Sequence, residues 1–407
     1  MRILLATAGS RGDVEPFVAL AHRAVRAGHE VRLVVPDHSG ADLADLDVVS
    51  LGVDYSALIA QQGVSPAAAF RSYRSVVKPL MRQVLLGSAR AAMDYRPDLL
   101  VAHPKILSAS VTADALSIPH VLVEIVPAVT PTRAFPAAGT LTRDLGRFNP
   151  ATYRLASAGE AMFREDLSEV SRMVGSYRRR PAPPAATLLP ISPVLLRRPD
   201  DWDASVHLTG PWRRDASETV TTEETGFAEG TVSAELARFL AEGDFVYAGF
   251  GSMATDDPVA RASEVIRGIR SFGARGLIAT GLGGLQVPPS LAGEDLLVTP
   301  SVPHEAVLPQ ALAAVHHGGI GTVHAATAAG AVSIPVPFIA DQPFWGRRLH
   351  EQGLSPAPIP QRRLTAETVT RGLAEAESYR PAVESAARSM ASEDGTGAAV
   401  QILEALG

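Results

Sequence analysis

The chain has 407 residues, of which 20% are charged and 5% aromatic, with a formal net charge of −6. That length accommodates two or three domains with their own cores, and the charge balance carries no signature of nucleic-acid binding. Cysteine is absent, which excludes disulfides, Cys-ligated zinc, iron–sulfur clusters and a Cys nucleophile.

Met1-Arg2 runs directly into ILLATAG, too short for a signal peptide and suited to a buried strand. No stretch approaches the roughly 18 apolar residues of a membrane span. The expectation is a soluble, cytoplasmic protein. After the first strand comes GSRGDVEPF and then a helix from about Val14 to Ala27, with Phe17, Leu20, Ala21, Ala24 and Val25 at helical spacing. EVRLVVP and DVVSLGV read as the second and third strands. Strands alternating with helices predict an α/β fold with a parallel, doubly wound sheet, whose ligands lie at the carboxyl ends of strands. The GSRGDVEPF loop falls there. Asp13 stands near the helix N-terminus, where it can cap the helix or take a proton from an incoming hydroxyl. Ser10 and Arg11 of the same loop can reach a phosphate.

Residues 66–95 read as a long helix or helix pair. Tyr73, Val77, Leu80, Met81, Val84 and Leu85 make an apolar face, and Arg71, Arg74, Lys78 and Arg82 a basic one. Such a stretch can lie on an anionic membrane surface, but is more often a solvated helix face. PDLLVAHPK ends a fourth strand at His103, and IPHVLVEIVP is the fifth, with Glu124 at its end. Both side chains fall on the ligand edge as acceptor contacts or as satisfied structural groups. From Ala128 to Pro150 the chain is rich in Pro, Thr and Gly, as pocket walls often are. RRRPAPPAA reads as a surface loop. LLPISPVLLRRPDDWDASVHLTGPWRRD reads as extended chain with repeated Pro, and the loss of periodicity places an interdomain linker at 201–232. Asp201-Trp202-Asp203 is formally a D-x-D metal pair, but it precedes no glycine turn, so no metal is expected there.

The second half repeats the style. DFVYAGFGSMA is a strand ending in a glycine turn with Ser252. After a helix and two strands, Val302 to His304 form a tight turn at the ligand edge. AAVHHGGIGT follows: a strand, two histidines, a glycine turn and a helix start. Such a turn offers backbone N–H groups and the positive helix end to an anion, and Thr322 adds a hydroxyl. His316 and His317 are adjacent, so in extended chain they face opposite ways, and one of them can donate to a phosphate. Asp341-Gln342, before another helix, suits sugar hydroxyls or capping. Helices at 365–376 and about 379–405 close the chain. The hydrolase, zinc-protease and P-loop motifs are absent.

Together, GSRGDVEPF, TPTRAFP, SPVLLRRPDDWDASVHLTGPW, GFGSM, HHGGIGT and PFIADQPFWGRRLHEQGLSPAPIP resemble the family 1 glycosyltransferases of the GT-B fold. The similarity is to the branch holding sterol 3-β-glucosyltransferases and actinobacterial antibiotic-tailoring enzymes. It covers nearly the whole chain and is weak between residues 40 and 95. The resemblance implies two Rossmann-like domains with parallel sheets facing across a cleft. Residues 1–200 would bind the acceptor, 233–385 the nucleotide sugar, and a C-terminal helix at 386–407 would cross back to the first domain. It implies metal-free, cofactor-free inverting transfer of a hexose, glucose from UDP-glucose first, to a hydroxyl of an apolar, ring-containing acceptor such as a sterol or polyketide. Asp13 takes the place of the base. By the resemblance, Ser10, Arg11, Ser252, His317, Gly319 and Thr322 would surround the diphosphate, Asp341 and Gln342 would hold the sugar, and Val302 would lie by the nucleobase. Sterol enzymes carry a Trp soon after the Pro-His of that last turn. Glu305-Ala306-Val307 stands there instead, which leaves UDP against dTDP open. The rivals are a GT-B epimerase or hydrolase, separated by whether turnover needs an alcohol, and a non-catalytic nucleotide-sugar-binding helper.

Overall fold

The computed structural model describes residues 1–55, 73–176, 181–214, 233–251, 253, 257–281 and 283–407. The chain forms two compact units, Met1–Arg214 with Glu393–Gly407, and Asp215–Ser392.

The first unit is built on a seven-stranded parallel sheet. Its strands are β1 (Arg2–Ala6), β2 (Glu30–Asp37), β3 (Asp47–Asp54), β4 (Leu99–Ala102), β5 (His120–Val123), β6 (Ala186–Leu189) and β7 (Val206–Leu208), in the order β3-β2-β1-β4-β5-β6-β7. β1, β4 and β6 are almost wholly buried, which is why they read as unbroken apolar runs. The helices are α1 (Arg11–Arg26), α2 (Lys78–Tyr95), α3 (Ala109–Leu116), α4 (Pro150–Ala158) and α5 (Arg164–Val174). The order reverses direction between β1 and β4, and such a switch point opens a crevice beyond the strands' carboxyl ends.

The sheet extends past the expected domain limit at residue 200. Ala186–Leu189, expected only as extended chain, is a paired strand, and β7 lies inside the expected linker 201–232. Trp202 is buried against Phe135, and the first unit runs on to Arg214. Repeated prolines hid this: they masked a strand only four residues long. The rest of the expected linker, 215–232, lies outside the described residues.

The basic stretch of the N-terminal half is only partly described, Arg71 lying outside it. Tyr73–Val77 make a π-helical turn that leads into α2. Lys78 pairs with Glu165 at 2.9 Å and Arg82 with Glu169 at 2.5 Å, so α5 supplies counter-charges to this face. Among the described residues no helix is long and apolar enough to cross a membrane.

The second unit holds a five-stranded parallel sheet of β8 (Phe245–Gly249), β9 (Arg275–Ala279), β10 (Leu296–Thr299), β11 (Ala311–His316) and β12 (Val332–Pro335), ordered β10-β9-β8-β11-β12. Its switch point falls between β8 and β11. Helices α6 (Ala234–Ala241), α7 (Pro258–Phe272), α8 (Ile320–Ala328), α9 (Gln342–Glu351) and α10 (Ala366–Met390) accompany it.

The C-terminal helices differ from the reading at 365–376, 379–405 and 386–407. α10 runs unbroken through Pro381, because Val369, Leu373, Ala376, Val383, Ala386 and Met390 bury one face and outweigh the single lost hydrogen bond. The break comes at 391–394, where Asp394 accepts the Gly397 N–H at 2.9 Å and starts α11 (Gly395–Glu404). α11 belongs to the first unit and is tied to α1 by Arg23–Asp394 at 2.7 Å.

Candidate active site

In the first unit, parallel pairing sets Ala6 beside Ala102, so the segments leaving β1 and β4 emerge together. The His103 N–H donates to the Ala6 carbonyl at 2.9 Å and extends the ladder by one residue. Asp13 and His103 therefore meet at the switch point. Asp13 stands in the first turn of α1. Its Oδ2 accepts the Ser10 N–H at 2.9 Å and faces the Ser10 hydroxyl at 3.3 Å. Its Oδ1 lies 2.9 Å from Lys105 Nζ and 3.4 Å from His103 Nε2. Asp13 thus meets the helix start with Oδ2, while Oδ1 faces Lys105 and His103. Burial pushes its carboxyl up, but Lys105, His103 and the Ser10 N–H outweigh that and hold it below the usual carboxylate range. Burial, reinforced by Lys105 and opposed by Asp13, pushes His103 down to about 3, so its ring is neutral. His103 Nδ1 accepts the Lys105 N–H at 3.1 Å, which leaves the ring proton on Nε2, facing Asp13.

Gly9 makes this arrangement possible. Its φ is +140°, and a Cβ there would fall 2.0 Å from Asp13 Oδ2 and 2.5 Å from Lys105 Nζ. Arg11 is turned to Glu15 at 3.2 Å.

Glu124 is wholly buried and serves the loop beyond β5. It accepts the N–H groups of Ala128 at 3.2 Å and Val129 at 2.9 Å, and the Thr130 hydroxyl. Asp201 holds the same loop further on, accepting the Thr132 hydroxyl at 2.6 Å and the Arg133 N–H at 2.8 Å. Asp203 is occupied with Ser205. Of the D-x-D pair, Asp201 alone braces the wall, at Thr132 and Arg133.

The second unit repeats the logic. Register sets His316 beside Gly249, so the glycine turns that follow β8 and β11 are neighbours at the switch point. His316 is wholly buried, and its Nδ1 accepts the Gly318 N–H at 3.0 Å. Burial, with His317 and His304, pushes it down to about 3. His317 faces the other way and is part-exposed. A Cβ at Gly319 would fall 2.6 Å from His317 Nε2, and one at Gly251 would fall 3.8 Å from its Cε1, so the ring is flanked by both turns. Burial, opposed by the Gly249 carbonyl, pushes His317 down to about 4. Gly319 is the N-cap of α8. The first bond of that helix is Val323 N–H to Gly319 O, so the N–H groups of 320–322 precede the ladder and point out of its positive end. Thr322 lies in that first turn, part-exposed.

Ser252 lies outside the described residues. The Val302 side chain is buried in the core with Tyr247, Val307 and Leu308, so any contact of this residue with a base falls to its backbone. Gln342 is corrected in part. It is buried, its Oε1 accepts the N–H groups of Phe338 at 2.8 Å and Ile339 at 3.1 Å, and its Nε2 faces Met253 Sδ at 3.3 Å. It therefore braces the loop before α9. Asp341, the N-cap, is part-exposed and follows Ala340 in a left-handed conformation (φ 54°).

The N-terminal domain model of glycosyltransferase family 28 matches residues 3–135, and the C-terminal domain model of erythromycin biosynthesis protein CIII-like proteins matches 291–406. The vancomycin aglycone glucosyltransferase of Amycolatopsis orientalis is 31% identical over 93% of this chain and 94% of its own length. The O-mycaminosyltylonolide 6-deoxyallosyltransferase of Streptomyces fradiae is 31% identical over 91% and 88%. The chain belongs to the GT-B glycosyltransferases. A sterol 3-beta-glucosyltransferase of Arabidopsis thaliana is 28% identical over 98% of this glycosyltransferase, which spans 67% of that plant protein. The fold also matches solved structures: the glycosyltransferase SnogD of Streptomyces nogalater has a TM-score of 0.67 at 22% identity, with both chains fully covered. SsfS6 of Streptomyces sp. SF2575, solved with thymidine diphosphate, has 0.59 at 20%, with 99% of each chain covered.

Sequence reasoning missed Lys105 and Tyr247. Lys105 stands two residues beyond His103, at the strand end already singled out, and the edge rule alone would have named it. Tyr247 is inside β8 and reads as core. Its hydroxyl lies 3.0 Å from His304 Nε2 and fixes the turn at 302–304.

Proposed function

We propose that this glycosyltransferase transfers a hexose, with inversion and without a metal ion, from a nucleoside diphosphate sugar to a hydroxyl of an apolar, ring-containing acceptor. The observation that carries the reading is Asp13 at the β1/β4 switch point, kept ionised by Lys105, His103 and Ser10. A carboxylate so held can take the acceptor's proton as its oxygen attacks the anomeric carbon from the face opposite the leaving group. The bond to the diphosphate breaks, and its electron pair leaves on the diphosphate. Negative charge gathers there. The free N–H groups of 320–322, the α8 dipole, Thr322 and His317 are the donors available to it, one such donor being worth about 10²–10³ in rate. This supports a metal-free path, as does the commitment of Asp201 to loop hydrogen bonds.

Glucose, from UDP-glucose, is the first donor reading; the sterol glucosyltransferase relatives support the glucose. A dTDP-sugar is the second, supported by the neighbours solved with thymidine diphosphate or dTDP. Both acceptor classes, sterol and polyketide, stand among the named relatives. The test is an incubation with EDTA, both donors, and a panel of sterols and aglycones, read by mass. One hexose added to one acceptor from one donor supports the proposal. Nucleotide release with no acceptor product favours a hydrolase, and nucleotide binding without any turnover favours the helper.

A further inference from the structure

Every oxygen of the base is engaged in this structure. Oδ2 is tied to the Ser10 N–H at 2.9 Å and faces the Ser10 hydroxyl at 3.3 Å. Oδ1 faces Lys105 Nζ at 2.9 Å and His103 Nε2 at 3.4 Å. An acceptor hydroxyl needs a place on Oδ1. The Ser10 groups belong to the helix cap, and the His103 side chain, only 9% exposed, is held by the Lys105 N–H through Nδ1. Lys105 differs: its side chain is 41% exposed and sits on a flexible stem. Among these described partners it is the one whose charged end can swing out to solvent.

We propose that Lys105 latches the Asp13 carboxylate between turnovers and yields its place on Oδ1 to the acceptor hydroxyl, so that water alone is a poor acceptor. This rests on the transferase reading above. The balance is that of transfer. The acceptor O–H proton goes to Oδ1, the acceptor oxygen bonds to the anomeric carbon, and the electron pair of the broken bond goes to the diphosphate. Water would follow the same course and give free sugar. An ammonium at 2.9 Å opposes it, because a single water brings too little contact to displace an ion pair. A ring-bearing acceptor brings its apolar contacts with it. Among the described residues, the charged and titratable groups around Asp13 are Lys105 and His103 from the segment after β4, and Tyr55 just after β3, whose hydroxyl burial and Asp13 together push up.

The experiment compares wild type, Lys105→Met, Lys105→Gln and Lys105→Arg for acceptor-free hydrolysis of the nucleotide sugar and for transfer. The Met and Gln variants are expected to raise the ratio of hydrolysis to transfer at least about ten-fold, part of the about 10²–10⁴ that a positioned base supplies. The acid limb of the transfer rate should also move to higher pH, since burial then acts on Asp13 without its main opponent. Lys105→Arg should restore both. A ratio and a limb unchanged in both folded neutral variants would overturn the latch. A substrate-free carbon-13 titration of the Asp13 carboxyl, assigned by its loss in Asp13→Asn, separates the two proposals. An inactive wild type would sink the transferase reading, while an Asp13 titration unmoved by Lys105→Met would sink the latch.

Discussion

Gly9→Ala puts the smallest possible group against the site. The added Cβ would fall 2.0 Å from Asp13 Oδ2 and 2.5 Å from Lys105 Nζ. Ordinary contact begins near 3.4 Å, so the carboxylate must retreat by more than 1 Å or the loop must move. At φ +140° an L-residue adds strain of about 1–3 kcal/mol. A displacement of about 1 Å at a reacting group costs roughly 10²-fold in rate. The expected result is a loss of kcat of about 10²-fold, with a fall in Tm of about 2–4 °C for each kcal/mol of strain. Steady-state transfer and a thermal melt read both. Gly12→Ala is the control: it lies three residues on, inside α1, and its Cβ would meet nothing within 4 Å. It should leave the rate alone and stabilise the helix by up to about 1 kcal/mol. A Gly9→Ala enzyme within two-fold of wild type would refute the placement of the carboxylate.

Two further predictions concern the histidines. In Gly319→Ala the backbone is unstrained (φ −65°), but the Cβ would fall 2.6 Å from His317 Nε2 and must push the ring aside. Transfer should fall by about 10²–10³, the worth of one donor to the developing charge, and a calorimetric titration with nucleoside diphosphate should show weakened binding; wild-type values for both would remove His317 from the donor site. His103 and His316, held near 3, and His317, near 4, are neutral in the folded protein, whereas an unfolded histidine titrates at about 6.5. Below that value the unfolded chain binds more protons, so stability is full above about pH 6.5 and declines as pH falls toward 4, by on the order of 1 kcal/mol per pH unit for each site. Urea unfolding at pH 7, 6 and 5 should show that decline, and a midpoint flat across the range would contradict it.

The sequence yields the two parallel sheets readily because β1, β8 and β11 are buried on both faces and end in glycine turns. It hides β6 and β7, which are short and bracketed by prolines, and it splits α10 at 377–378, just before Pro381, where tertiary burial overrides the local signal. Asp13 is legible from its loop and from resemblance. Its pairing with Lys105 is not, because residues 92 apart meet only when β1 and β4 lie side by side. Gln342 shows the opposite difficulty: its amide suits sugar hydroxyls, but the fold engages its Oε1 with the N–H groups of Phe338 and Ile339.

The account rests on Asp13 as the base, and Asp13→Asn tests it most directly. The amide keeps the size of the side chain and removes its basicity. With EDTA present, transfer to the acceptor found for the wild type should fall by about 10²–10⁴, while the affinity for nucleoside diphosphate stays within two-fold. Transfer at the wild-type rate would contradict the account.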